Sequence, residues 1–155
     1  MIASTALVFL LVAAALTLGL SVKRIPEGHV YTLRRMGRPS PRLLRAGTHW
    51  VWPLIEHITH RISLAGHALD LDARDESGHS VHGTVYWQVL EPERADPVID
   101  RAEVMIREVA TQALTGFNPT GDDNTARAQA LKHHLNGVLG AHGIFVARTR
   151  LHRQT

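Results

Sequence analysis

The sequence predicts a small α+β domain tethered by an N-terminal transmembrane helix, and three observations predict it. Residues 2–22, IASTALVFLLVAAALTLGLSV, carry no charge and are almost wholly apolar. Between residues 29 and 90, apolar and polar side chains alternate with period two through several short segments. Beyond Glu91-Pro92 the period turns helical, and it returns to two over 144–151.

The first run is long enough, at about 1.5 Å per residue, to cover the roughly 30 Å of a bilayer's hydrocarbon. It lacks the basic n-region of a signal peptide and the polar stripe of a core helix. Leu7, Phe9, Leu10, Leu11, Leu16, Leu18 and Leu20 are its candidate lipid-facing residues. Ala15 and Gly19 form a small-xxx-small pair, a feature of associating membrane helices. No Lys or Arg precedes the run, whereas Lys23, Arg24, Arg34, Arg35 and Arg38 follow it. The positive-inside rule then puts the C-terminal domain on the cytoplasmic side of a single-pass topology. The expected organisation is an anchor over 1–23, one domain over 24–152 and a tail over 153–155. With no cysteine in the chain, disulfides, thiolate metal sites and cysteine nucleophiles are excluded.

HVYTLRR (29–35) reads as a strand, with Val30 and Thr32 set against Tyr31 and Leu33. Gly37, Pro39 and Pro41 predict a loop. Residues 48–52 and 57–64 read as short strands interrupted at Pro53, and LDLDAR (69–74) as another. In HSVHGTVYWQVL (79–90), Val81, Gly83, Val85, Trp87 and Val89 share one face of a half-buried antiparallel strand. Asp100 and Glu103 have capping-box spacing, and Ala102, Ile106, Val109, Ala113 and Phe117 recur on one helical face. Asn118-Pro119 ends that helix. Asp122 and Asp123 suit the positive end of a second helix, with Leu131, Leu135, Val138 and Leu139 inward. Gly137 and Gly140 weaken its last turns, and Gly143 is the expected residue after its end. The closing strand (144–151) sets Ile144, Val146 and Arg148 against Phe145, Ala147 and Thr149.

These segments, in this order, resemble the SPFH/Band 7 domain of the stomatin, prohibitin and flotillin proteins. RIPEGHVYTLRRMGR (24–38) is similar to the family's Pro-Glu-Gly-like turn, strand and Leu-Gly-Arg-like end, carried here by Pro26, Gly28 and Met36-Gly37-Arg38. AGTHWVWPLIEHI (46–58) places Gly47, His49, Pro53 and Glu56 on the next motif, with Ala46 where the family has Pro. Residues 69–95 resemble the long strand that includes Tyr86, and HGIFVARTRL (142–151) the closing strand that follows Gly143. The resemblance implies a non-enzymatic membrane scaffold that organises membrane patches and modulates membrane proteins such as proteases or channels. Its expected partners are the bilayer, other membrane proteins and, in a homo- or hetero-oligomer, further copies or relatives. Family members continue into a long Ala/Glu-rich assembly helix. No such helix follows the closing strand in this short form, which leaves the assembly state open.

The chemistry of the side chains points the same way. His57/His60 and His79/His82 are three apart on predicted strands, so they point to opposite faces. His133 and His134 diverge by about 100° on a helix. A metal- or pH-sensing membrane protein that gathers histidines from separate strands is the alternative reading. Asp70, Asp72, Asp75 and Glu76 precede a Ser-Gly turn, where solvated acids are usual, and no hydrolase, phosphate-loop or zincin motif occurs. No enzyme activity and no cofactor are expected. The arginines of 34–45 lack the interleaved aromatics of a nucleic-acid surface, so no nucleic acid is expected either. Near an anionic leaflet they suit headgroups, and a simply solvated basic loop is the other reading. Trp50 and Trp52 share a strand face with Thr48, next to Pro53, Leu54 and Ile55. Two indoles there either press on the lipid–water boundary or fill the core of the sheet. The expected surface contacts are Arg24, Arg34, Arg35, Arg38, Trp50, Trp52, Pro53 and Leu54.

Overall fold

A computed structural model describes residues 2–38, 40–52, 55–74, 80–116 and 124–153. Pro39, Pro53, Leu54, the Asp75–His79 stretch and the segment from Phe117 to Asp123 lie outside the described residues. So do the expected Asn118-Pro119 stop and the Asp122-Asp123 pair. The chain divides into two compact units, Met1–Ser63 and Leu64–Thr155.

In the first unit, helix α1 (Ile2–Ser21) leads straight into β1 (Val22–Ile25). Its side chains are described from Thr5, and Thr5–Ser21 extends about 25 Å at 1.5 Å per residue. Among the described residues no helix is long and apolar enough to cross a membrane. The structure therefore does not by itself make α1 a span.

The first unit holds β2 (His29–Arg35), β3 (Arg42–Leu44), β4 (Gly47–Trp50) and β5 (Glu56–Ser63). β1 pairs with β4, and β2 lies between β3 and β5; all these pairings are antiparallel. Ile25, Leu33, Leu44 and Val51 form a buried cluster, with Tyr31 and Ile58 packed against it. The alternation expected for β2 holds, with Leu33 and Tyr31 on the side of this cluster and Val30 and Thr32 opposite, and Val30, Thr32 and Leu33 are all buried because β2 is covered on both faces. Its partner β5 carries a bulge: Thr32 pairs with His60 but Leu33 with Ile58, so β5 spends one residue more than β2. Strand β3 falls in the stretch expected to be loop. Three residues beside Pro41 give too short a pattern to read, and its partner β2 supplies the ladder.

In the second unit, β6 (His67–Arg74), β7 (Ser80–Val89) and β8 (Ile144–Arg153) form an antiparallel sheet with β7 central. The buried face of β7 is the expected set, Val81, Gly83, Val85, Trp87 and Val89. A short helix α2 (Pro92–Ala95) and a 3-10 turn (Ile99–Arg101) precede α3 (Ala102–Gly116) and α4 (Asn124–Leu139). Asp100 lies inside that turn, just ahead of α3. Helix α3 packs on β6, and α4 packs on β8 and α3. Ala102, Ile106, Ala110, Ala113 and Leu114 are the buried residues of α3, with Val109 only half-buried. On α4, Leu131, Leu135 and Leu139 are buried as expected, but Val138 is 40% exposed. The helix ends at Leu139, so Val138 lies on its outer side in the last turn.

A second bulge corrects the closing strand. Trp87 pairs with Val146 but Tyr86 with Arg148, so Ala147 is the extra residue. Past it the sides exchange. Arg148, expected inward, is exposed, and Thr149 is buried with its hydroxyl donating to Ala128 O on α4. At the bulge Asn136 of α4 clamps the strand. Its amide nitrogen donates to Val146 O (3.1 Å) and its amide oxygen accepts from Val146 N (2.7 Å). The side chain thus replaces a missing neighbour strand. Asn136→Ala strands both backbone groups of a fully buried residue and should cost about 2 kcal/mol, read as a lower urea midpoint at unchanged m-value.

Candidate membrane-contact face

Backbone register gathers the site. β1 and β4 pair Val22 with Trp50, Lys23 with His49, Arg24 with Thr48 and Ile25 with Gly47. Partners directly opposite share a sheet face. Val22, Trp50, Arg24 and Thr48 therefore stand on one side, and all four are exposed. Beyond the ladder, Val51 N donates to Ser21 O at 2.7 Å. The last residue of α1 is thereby bonded to the residue between the two tryptophans.

The indoles face outward. Val51 is 4% exposed, whereas Trp50 is 50% and Trp52 60% exposed. Only Val51 joins the core, which removes the reading that both rings fill the sheet. The third tryptophan, Trp87, is the contrast. It is buried in the second unit and stacked on His67, with ring centroids 4.7 Å apart.

A second turn joins this face. Trp52 O accepts from Ile55 N (3.1 Å) and Glu56 N (2.8 Å), and Trp52 N donates to Glu56 Oε2 (3.1 Å). Ile55 O in turn accepts from Met36 N at 3.1 Å. That bond docks the turn after β2, which carries the exposed Arg35, Met36 and Arg38, against the Trp52 turn. Met36 is 77% exposed. Arg34 is also exposed, next to Arg35 at the end of β2 and opposite His57. Of the expected contact residues, register brings Arg24 beside Trp50 and backbone bonds bring Arg35 near Trp52; Pro53 and Leu54 lie outside the described residues. Sequence reasoning missed Val22 and Met36. The signal for Met36 was present, a large apolar residue in a turn between basic neighbours. Val22 looked like the last residue of the apolar run.

Charge is divided unevenly along the chain. Residues 1–63 hold eight Lys/Arg and two Asp/Glu, while 64–155 hold nine and twelve. The basic excess therefore belongs entirely to the unit that carries α1 and the exposed tryptophans. His49 lies at the strand end, its Nε2 2.8 Å from Arg45 O, where a ring N–H can donate to the carbonyl.

The polar clusters of the second unit have local partners. Thr84 Oγ1 donates to Asp70 Oδ1 (3.0 Å), and the His82 ring pairs with Asp72 across the sheet. Among the described residues, no three His, Cys, Asp or Glu side chains are placed to hold a metal ion.

A family model described as the SPFH domain / Band 7 family matches residues 23–147. The chain belongs to the SPFH/Band 7 family. The match runs through both units, and the α+β architecture with antiparallel sheets fits that domain. SPFH proteins are in general non-enzymatic scaffolds that associate with membranes and commonly oligomerise. The glycines of the SPFH-like motifs have a physical basis here. Gly28, Gly37, Gly47 and Gly143 all have positive φ, and among the described residues no other residue does. Tyr86, the aromatic of the long-strand motif, stands half-buried on the open sheet face, with the Arg150 guanidinium 5.9 Å from its ring centroid.

Proposed function

We propose that this chain is a non-enzymatic, single-pass SPFH scaffold whose first unit lies against the cytoplasmic leaflet. In this reading α1 is the anchor, and Trp50, Trp52, Val22 and Met36 rest at the lipid–water boundary. Arg24, Arg34, Arg35 and Arg38 meet headgroups. Pro53 and Leu54, between Trp52 and Ile55 in sequence, belong to the same contact. The scaffold then organises membrane patches and modulates neighbouring membrane proteins such as a protease or a channel.

The observation that carries this reading is the register. It sets Trp50 opposite the first residue after α1 and bonds Val51 to the last residue within it. If α1 ends at the interface, the tryptophans must lie there, where aromatic rings with a polar N–H are favoured. Two further observations support it. The large apolar side chains of α1 from Leu7 to Leu20 are 52 to 79% exposed, a naked apolar cylinder that water does not tolerate. The uncharged run of residues 2–22 has the length for a span.

Alkaline carbonate extraction tests the anchor: the full chain should stay with the membranes, and release into the supernatant sinks it. Trp50→Ser with Trp52→Ser tests the contact in a chain lacking residues 1–22. Losing two half-buried indoles should weaken vesicle binding by about 2 kcal/mol, roughly thirtyfold. Unchanged co-sedimentation with liposomes would refute the contact.

A further inference from the structure

On the open face of the second unit's sheet, one row of side chains crosses all three strands: Asp72 on β6, His82 on β7 and His152 on β8. His82 is half-buried, and the other two are exposed. Residues directly opposite on an antiparallel pair share a face, with Cβ atoms about 4.5–5.5 Å apart, so the two imidazoles are neighbours. The bulge at Ala147 creates this row. Without the extra residue His152 would fall on the same side as the buried Val146. Past the bulge Leu151 takes the buried side instead, and His152 turns outward.

His82 is already oriented. Its Nδ1 lies 2.5 Å from Asp72 Oδ1. A carboxylate only accepts, so in the neutral ring Nδ1 carries the hydrogen and Nε2 keeps a lone pair. The two ring nitrogens point in nearly opposite senses. With Nδ1 turned to β6, Nε2 is turned away from it, to the side of β8 where His152 stands.

We propose that His82 and His152 bind one divalent transition-metal ion of the kind that prefers imidazole, such as Zn²⁺ or Ni²⁺, with Asp72 holding His82 from behind. A carboxylate behind a ligating histidine fixes its tautomer and ring orientation and makes its nitrogen a better donor. Imidazole ligands select against Mg²⁺ and Ca²⁺, which take oxygen. Asp72 is engaged at Nδ1, so the protein supplies two ligands and leaves the remaining positions to water or another donor. The charge around the row suits a cation. Asp72 is negative, and in the next row Thr84 donates to Asp70 with Arg150 on the far side. The Arg150 guanidinium is drawn to the Tyr86 ring, 5.9 Å from its centroid, on the side away from His152. A bound ion ties the last strand to the centre of the sheet and, through Asp72, to β6. This inference does not depend on the lipid contact of the first unit.

Titration calorimetry of the full chain in detergent, carrying no polyhistidine tag, should show one strongest Zn²⁺ site per chain that Mg²⁺ does not occupy. His82→Ala and His152→Ala should each abolish that site, because each removes half of its ligands. Asp72→Asn should weaken it by about 10- to 100-fold. His133→Ala with His134→Ala, on α4, should leave it unchanged. Circular dichroism should be that of wild type throughout, since all three residues of the row lie on the open face. A measurement on the unaltered chain stands beside these variants. Diethyl pyrocarbonate acylates free imidazole nitrogens, and Zn²⁺ should shield His82 and His152 from it while His133 and His134 still react, as mapped by mass spectrometry. Absence of Zn²⁺ binding, binding that survives either histidine variant, or equal shielding of all histidines overturns the inference. Asp72→Asn that binds as wild type refutes the supporting carboxylate.

Discussion

Gly143→Ala is expected to destabilise the second unit by about 2–5 kcal/mol, a large fraction of the roughly 5–15 kcal/mol that holds a typical domain folded. Gly143 has φ 69°, where an L side chain costs about 1–2 kcal/mol. A Cβ there would lie 2.8 Å from Glu91 Cβ and closer still to Glu91 O. The neighbour cannot swing aside, because it is backbone. Gly143 O accepts from both Leu90 N (2.9 Å) and Glu91 N (3.1 Å), fixing the end of β7 to the start of β8. Relieving the clash therefore breaks those bonds or shifts two strands, adding about 1–3 kcal/mol. Gly137→Ala is the control of opposite sign. It lies in α4 with nothing within 4 Å of the added Cβ, so it should stabilise by up to about 1 kcal/mol. Urea unfolding followed by the fluorescence of the buried Trp87 and by circular dichroism reads both. A Gly143→Ala midpoint within error of wild type would mean that the tight approach to Glu91 is not a constraint.

What the sequence made legible was parity, and what it hid was where parity breaks. Alternation correctly separated Val51 from Trp50 and Trp52, and Trp87 from Tyr86. It could not say which side of 48–52 faces outward, because that depends on a core assembled from Ile25, Leu33 and Leu44, residues distant in the chain. Both bulges insert a single residue, Thr59 or Ala147, into otherwise regular strands, and the one in β8 reverses the assignment of the residues beyond it. Arg148 and Thr149 were misplaced for that reason alone. Gly143 was legible because its conformation is a local property. The Val22–Trp50 pair was not, because β1 hides at the end of the apolar run and its partner is remote. His82 and His152 were equally visible as letters. They became neighbours only when the bulge at Ala147 turned His152 onto the face of His82.

The same contrast between local and collective effects governs the lipid contact. Replacing Arg24, Arg34, Arg35 and Arg38 together by Gln should weaken binding of the chain lacking residues 1–22 to phosphatidylserine-rich vesicles by about 4 kcal/mol, roughly a thousandfold. The figure follows from about 1 kcal/mol per basic residue held near an anionic leaflet. All four are exposed. The unit has only two acidic residues, so little internal pairing offsets the loss. Salt separates this term from that of the tryptophans. Raising ionic strength from about 0.15 to 1 M shortens the screening length from about 8 to about 3 Å. Wild type should then fall toward the fourfold variant, while the deficit of Trp50→Ser/Trp52→Ser, which comes from apolar area, should persist. On neutral phosphatidylcholine vesicles the arginine variant should match wild type and the tryptophan variant should still bind less. If the arginine variant loses as much on neutral as on anionic vesicles, headgroup charge is not what these side chains meet. The basic excess of the first unit would then serve something other than a membrane.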